Sequence, residues 1–94
     1  MSAGLRAAPE RVQLRITVAD TWVALTLDAA ANETVAAVKT RALLASRIDA
    51  ASAGEYEVKL GGARIADETQ TLEAARVGSG MALIVLSKRR RPVR

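Results

Sequence analysis

The stretch Val12-Gln-Leu-Arg-Ile-Thr-Val18, followed by Trp22-Val-Ala-Leu-Thr-Leu27, decides how the rest of the chain is read. Val12, Leu14, Ile16 and Val18 alternate with Gln13, Arg15 and Thr17, the period-two pattern of a strand with one buried face. Val23, Leu25 and Leu27 then alternate with Trp22, Ala24 and Thr26. Ala19-Asp20-Thr21 between them offers turn chemistry through Asp20. Two strands joined by a short turn predict a β-hairpin, and its apolar side needs a cover.

That cover comes next. Asn32-Glu33-Thr34 supplies helix N-cap candidates. Val35, Val38, Ala42 and Ala45 recur at helical spacing, Leu43 and Leu44 widen the stripe, and Lys39, Arg41 and Arg47 are assigned to the other side and the C-terminal end. The spacing predicts a helix over 34–47, with 49–54 as a loop. Tyr56, Val58 and Leu60 alternate with Glu57 and Lys59 in a third strand. Gly61-Gly62 suits a two-residue hairpin turn, because both residues can take positive φ. A short return strand is expected near Arg64 and Ile65, and loop plus a helical turn over 67–75. After the turn Gly78-Ser79-Gly80, a last strand runs from Met81 to Leu86. The fold class is therefore α+β, a mixed four- to five-stranded sheet with one helix packed across it.

Composition narrows the chemistry. The 94 residues are half hydrophobic, with no Phe, one Trp and one Tyr, so the core is expected to be aliphatic. No Cys and no His are present, which removes disulfides, thiolate nucleophiles, imidazole bases and the usual zinc ligands. No metal or cofactor is expected. The first dozen residues lack a signal-peptide apolar stretch, and no run reaches the length of a membrane span. A cytoplasmic location is the expectation.

The net charge of +4 is unevenly placed. Lys88, Arg89, Arg90, Arg91 and Arg94 form a basic tail over 88–94, while residues 1–87 hold nine basic against ten acidic side chains. Residues 1–11 read as a flexible leader and 12–87 as the domain. Any electrostatic function belongs to the tail.

The helix opening Thr34-Val-Ala-Ala-Val-Lys39 resembles the Thr-Ile-x-x-Val-Lys segment of ubiquitin and its relatives. Leu60-Gly-Gly-Ala-Arg-Ile65 resembles their Phe-Ala-Gly-Lys-x-Leu turn. Thr71-Leu72 and Val77 fall where the family has Thr-Leu and a late-loop Ile, and the last strand matches the closing one. The resemblance spans roughly residues 12–87 and implies the ubiquitin-like β-grasp fold. It departs after Leu86, where Ser87-Lys-Arg-Arg-Arg-Pro-Val-Arg94 contains no Gly-Gly. The family's thin glycine tail threads into activating enzymes, and this stretch has bulky side chains instead. The nearest analogues are then non-conjugated docking modules, among them small bacterial proteins of type VII secretion. High Ala and Arg content hints at a GC-rich bacterial genome.

The candidate sites follow from this frame. Ser87-Lys88 fails as a Ser–Lys pair, since adjacent strand residues point to opposite faces. Glu55 and Glu57 share a face about 7 Å apart, in the range of two-carboxylate hydrolysis, but on an open strand they read as solvated charge. Asp67-Glu68 reads as loop acidity. Gly78-Ser-Gly80 lacks the Lys-Ser/Thr of a phosphate loop. The chain is expected not to be an enzyme. If Ala82, Ile84 and Leu86 face the helix, then Met81, Leu83 and Val85 face outward beside Arg15, Thr17, Glu57 and Lys59. The resemblance implies that this face recognises partners, with Val85 standing for the family's patch Val and Lys59 for its central Ile. Arg15, Lys59, Leu83 and Val85 are therefore the expected partner-binding residues, with Trp22 either extending the patch or covering the edge of the core. The second reading is tail-driven binding of RNA or an anionic membrane through Lys88, Arg89, Arg90, Arg91 and Arg94. A third is a protein modifier with an atypical C-terminus.

Overall fold

The computed structural model describes residues 10–19 and 21–88. Among these residues, five strands and one α-helix follow in the order β1 Arg11–Val18, β2 Val23–Ala30, α1 Val35–Ala45, β3 Tyr56–Leu60, β4 Ala63–Arg64 and β5 Ala82–Ser87. They form one sheet in the order β2-β1-β5-β3-β4. β5 runs parallel to β1, and the other three pairings are antiparallel. The α+β expectation, with a mixed five-stranded sheet under a helix, is met. The strand begins one residue earlier than expected, at Arg11, and the Glu10 carbonyl accepts from Ala31 N–H at 2.7 Å.

Thr34 is the cap that α1 uses. Its hydroxyl accepts from Ala37 N–H at 3.1 Å, satisfying one of the open donors of the first turn. The Glu33 carboxylate, partly buried, accepts from Ala30 N–H at 3.4 Å and from Arg41 at 2.9 Å. The helix stops at Ser46, followed by Arg47 at φ 65, a left-handed residue of the kind that ends helices. The segment expected as a loop after it contains a 3₁₀ helix, Ala50–Glu55, because Asp49 caps it through Ala51 N–H. Gly61 and Gly62 take φ of 62° and 87°, the two positive values that a tight hairpin between β3 and β4 requires. Residues 67–75 form turns without a helix.

The core is aliphatic throughout. Leu14, Ile16 and Val18 of β1 meet Val35, Val38, Ala42 and Leu43 of α1, with Val58, Leu72, Val77, Leu83 and Val85 closing the cluster. Thr71 bridges to Thr34, which seats Leu72 beneath the helix. Two helix assignments need correction. Ala45 and Leu44 are exposed, since Leu43 and Ser46 fill the next turn of the stripe. Lys39, assigned to the solvent side, is only 5 % exposed. Its position one turn after Val35 and one residue past Val38 lies on the apolar stripe, and spacing decides over residue type.

Candidate interaction surface

The parity of β5 fixes what the open face of the sheet offers. β5 lies between β1 and β3, with Leu83 beside Ile16 and Leu60, and Val85 beside Val18 and Val58. Directly paired residues in a sheet project to the same side. Ile16, Val18 and Val58 face the helix, so Leu83 and Val85 do too, each 1 % exposed. The expected assignment of Leu83 and Val85 to a docking surface is therefore overturned. The segment from Met81 to Leu86 is apolar at every position, so its own alternation carries no parity, and the neighbouring strands set it.

The outward row is Ala82, Ile84 and Leu86. Ile84 is 42 % exposed, Ala82 is exposed and Leu86 is half-buried. Ile84 pairs with Thr17 of β1 on one side and with Lys59 of β3 on the other; Ala82 pairs with Arg15, and Leu86 with Glu57. Arg15 and Lys59 thus stay on the open face where they were expected, but Lys59 sits beside Ile84 and Arg15 beside Ala82, instead of both beside Leu83. The signal that would have found Ile84 and Leu86 is the alternation of the partner strands β1 and β3, since Lys88 lies at a bend past the end of β5.

Charge on this face is only partly neutralised within the chain. Arg11 reaches Asp28 at 3.2 Å and Arg64 reaches Glu57 at 4.0 Å. Arg15 and Lys59 make no side-chain hydrogen bond or ion pair among the described residues. Beside Arg15 lies a shallow depression of about 230 Å³, floored by the small side chains Thr17, Ala24, Thr26 and Ala82. Trp22 stands at the hairpin tip, 80 % exposed, so it does not fold over the core edge.

The remaining candidates are quickly placed. Glu57 is engaged by Arg64, while Glu55 lies at the end of the 3₁₀ helix, so the two carboxylates do not enclose a site. Asp67 accepts from the Thr69 hydroxyl and N–H, and these bonds hold its carboxyl below the usual aspartate value. No group of three or more acidic side chains among the described residues is arranged to hold a metal ion. No described helix is long and apolar enough to cross a membrane. Lys88 is exposed, and Arg89, Arg90, Arg91 and Arg94 lie outside the described residues, as does most of the expected leader.

No protein-family model matches the sequence, and no curated protein matches it. Solved structures do. The ubiquitin of Caldiarchaeum subterraneum superposes with a TM-score of 0.71 at 24 % identity, covering 89 % of this chain and 98 % of that one. The ubiquitin-like domain of an Arabidopsis thaliana protein gives 0.73 at 14 % identity, covering 100 % and 95 %. The ubiquitin-like domain of tubulin-binding cofactor B gives 0.70 at 15 % identity, covering 84 % and 91 %. The fold is ubiquitin-like.

Proposed function

We propose that the chain is a non-catalytic protein-interaction module, an adaptor or docking subunit, that meets its partner through the open face of the sheet. The observation that carries this reading is the arrangement around Ile84. An exposed branched side chain on a central strand lies between Thr17 and Lys59, with Arg15 one row away beside Ala82, and neither cation has an ion pair among the described residues. An apolar centre with charges at its margin is how protein interfaces are built. The complementary surface is a protein segment that offers an apolar side chain to Ile84 and Leu86 and carboxylates to Arg15 and Lys59. The likeness to a ubiquitin-like domain of tubulin-binding cofactor B, a protein whose name describes binding, supports an interaction role. A bacterial, cytoplasmic setting akin to type VII secretion docking proteins is the context this reading favours.

A photo-crosslinking residue in place of Ile84, compared with one in place of Ala45 on the helix side, tests the reading in native cells. Adducts are expected from position 84 and not from 45. Ile84→Asp should abolish non-covalent capture of the same partner while the fold survives. Equal crosslinking from both faces would refute the assignment of the surface. The modifier reading makes a separate demand, a covalent adduct through the C-terminal residues, which intact-mass measurement detects.

A further inference from the structure

The two outer edges of the sheet differ in character. β4, at one edge, is only Ala63–Arg64 and carries a charge in its two residues. β2, at the other, is eight residues long, Val23–Ala30, in unbroken register with β1. Proteins protect long edges with lysine, proline, bulges or a covering element. β2 has no lysine, proline or bulge, and Asp28 is its one charge.

The backbone groups that face outward follow from β1. Arg15 N–H donates to the Met81 carbonyl at 3.1 Å, and Ala19 N–H, just past the strand, to that of Val85 at 2.9 Å. The odd-numbered residues of β1 therefore bond toward β5, and the even-numbered ones bond to Val23, Leu25, Leu27 and Ala29. The N–H and C=O groups of Ala24, Thr26, Asp28 and Ala30 are left pointing out of the sheet. Two of these are engaged. Ala30 N–H donates to Glu33 at 3.4 Å, and the Asp28 carbonyl accepts from Arg41 at 2.9 Å. Ala24, Thr26 and the Asp28 N–H make no backbone bond toward that side among the described residues.

This open set is its own complement. Turned end for end about Thr26, Ala24 falls opposite Asp28, and Thr26 opposite itself. In an antiparallel pair, facing residues of this kind exchange both of their bonds, and the Asp28 carbonyl keeps a lone pair free beside Arg41. On the helix side, the half-buried Leu25 and Leu27 of one copy meet Leu27 and Leu25 of the other. Charge fits as well. Arg15 has no ion pair among the described residues. Asp28 of the second copy would lie two strands away and one row along, about 12 Å between Cα atoms. An extended arginine and an aspartate close that span over the small side chains of Thr26 and Ala24. Arg11 takes the same diagonal to Asp28 within the chain, at 3.2 Å.

We propose that two copies of this chain pair edge to edge through β2, antiparallel and centred on Thr26, to make one continuous sheet. Ile84 and Lys59 lie outside this contact, so the pairing is independent of the partner surface proposed above. Arg15 borders both, with donors enough for each. Sedimentation equilibrium of the full chain should show a reversible dimer. Thr26→Pro removes the donor at the centre, and an edge strand tolerates a proline whose nitrogen faces outward. It should raise the dimer dissociation constant about ten-fold or more, with the fold checked by circular dichroism. Thr26→Lys, which sets like charges opposite each other, should do the same without a proline. The chain has no cysteine, so Thr26→Cys gives a positional readout. Facing Cα atoms about 5.5 Å apart suit a disulfide, and oxidation should link two copies, whereas Ile84→Cys should not. A chain that stays monomeric up to its solubility limit overturns the inference. So does a dimer indifferent to both Thr26 substitutions, or crosslinking through Ile84→Cys equal to that through Thr26→Cys. A monomer whose Thr26 amide exchanges slowly overturns it too, and gives the edge to another segment of the same chain.

Discussion

The ammonium of Lys39 lies 2.6 Å from a carboxylate oxygen of Glu68, and at 2.9 Å from the Tyr56 carbonyl it also ties α1 to β3. The two ends of this pair differ in burial: the Lys39 side chain is 6 % exposed and that of Glu68 19 %. Removing one partner strands the other, and the penalty scales with how dry the stranded charge is. Glu68→Gln should cost about 3 kcal/mol, more than Lys39→Met at about 1–2 kcal/mol, whose methylenes still fill the space. Urea midpoints of the two variants check the order, which reverses if Glu68 is the drier group.

Leu83 and Ile84 are neighbours in sequence with opposite fates. Leu83→Asp places a carboxylate among Ile16, Leu60 and the helix and should cost about 4 kcal/mol or more, enough to unfold a small domain. Ile84→Asp should cost about 1 kcal/mol, the scale of strand preference at an exposed site. Thermal melts followed by circular dichroism distinguish the two directly. Comparable losses at both positions would contradict the parity of β5.

Much of this was legible in the amino-acid pattern, and the exceptions share a cause. The hairpin, the helix, the Gly61-Gly62 turn and the order of elements follow from alternation, capping and glycine placement. Each of these is a local signal. Leu83, Val85 and Lys39 were misplaced because their environment is set by partners distant in sequence. Ile16 stands 67 positions before Leu83, and Glu68 stands 29 after Lys39. In β5 the apolar run silences the local signal altogether. The left-handed residue Trp22 was equally hidden, since its type argues against the conformation it adopts.

Trp22 makes little use of the fold that carries it. Trp22→Gly removes an exposed side chain and relieves a positive φ, a conformation that costs a residue with Cβ about 1 kcal/mol. The added freedom of glycine in the unfolded chain offsets much of that gain. Stability should therefore stay within about 1 kcal/mol of the parent. A loss above that in chemical denaturation would show that the indole packs on the domain.

Asp67 provides the acid-side check. Its folded value is lowered by the Thr69 hydroxyl first and the Thr69 N–H second. Its contribution is present above the unfolded aspartate value and is lost as pH falls through the lower folded one. The group is fully exposed, so the readout is the titration itself. Thr69→Val should move the Asp67 midpoint upward in an NMR titration while leaving the rest of the carboxylate profile in place. An unmoved midpoint would remove the hydroxyl as the cause.

The parallel pairing of β1 with β5 also governs when the chain can fold during synthesis. Among the described strands, the earliest made, β1, waits for the latest, β5, since β3 and β4 join β1 only through β5. Until residue 87 clears the exit tunnel, the nascent chain holds a hairpin and a helix whose apolar sides have no complete partner. Folding is thus a late, concerted event, and a message truncated within β5 yields a substrate for proteases in place of a shortened domain.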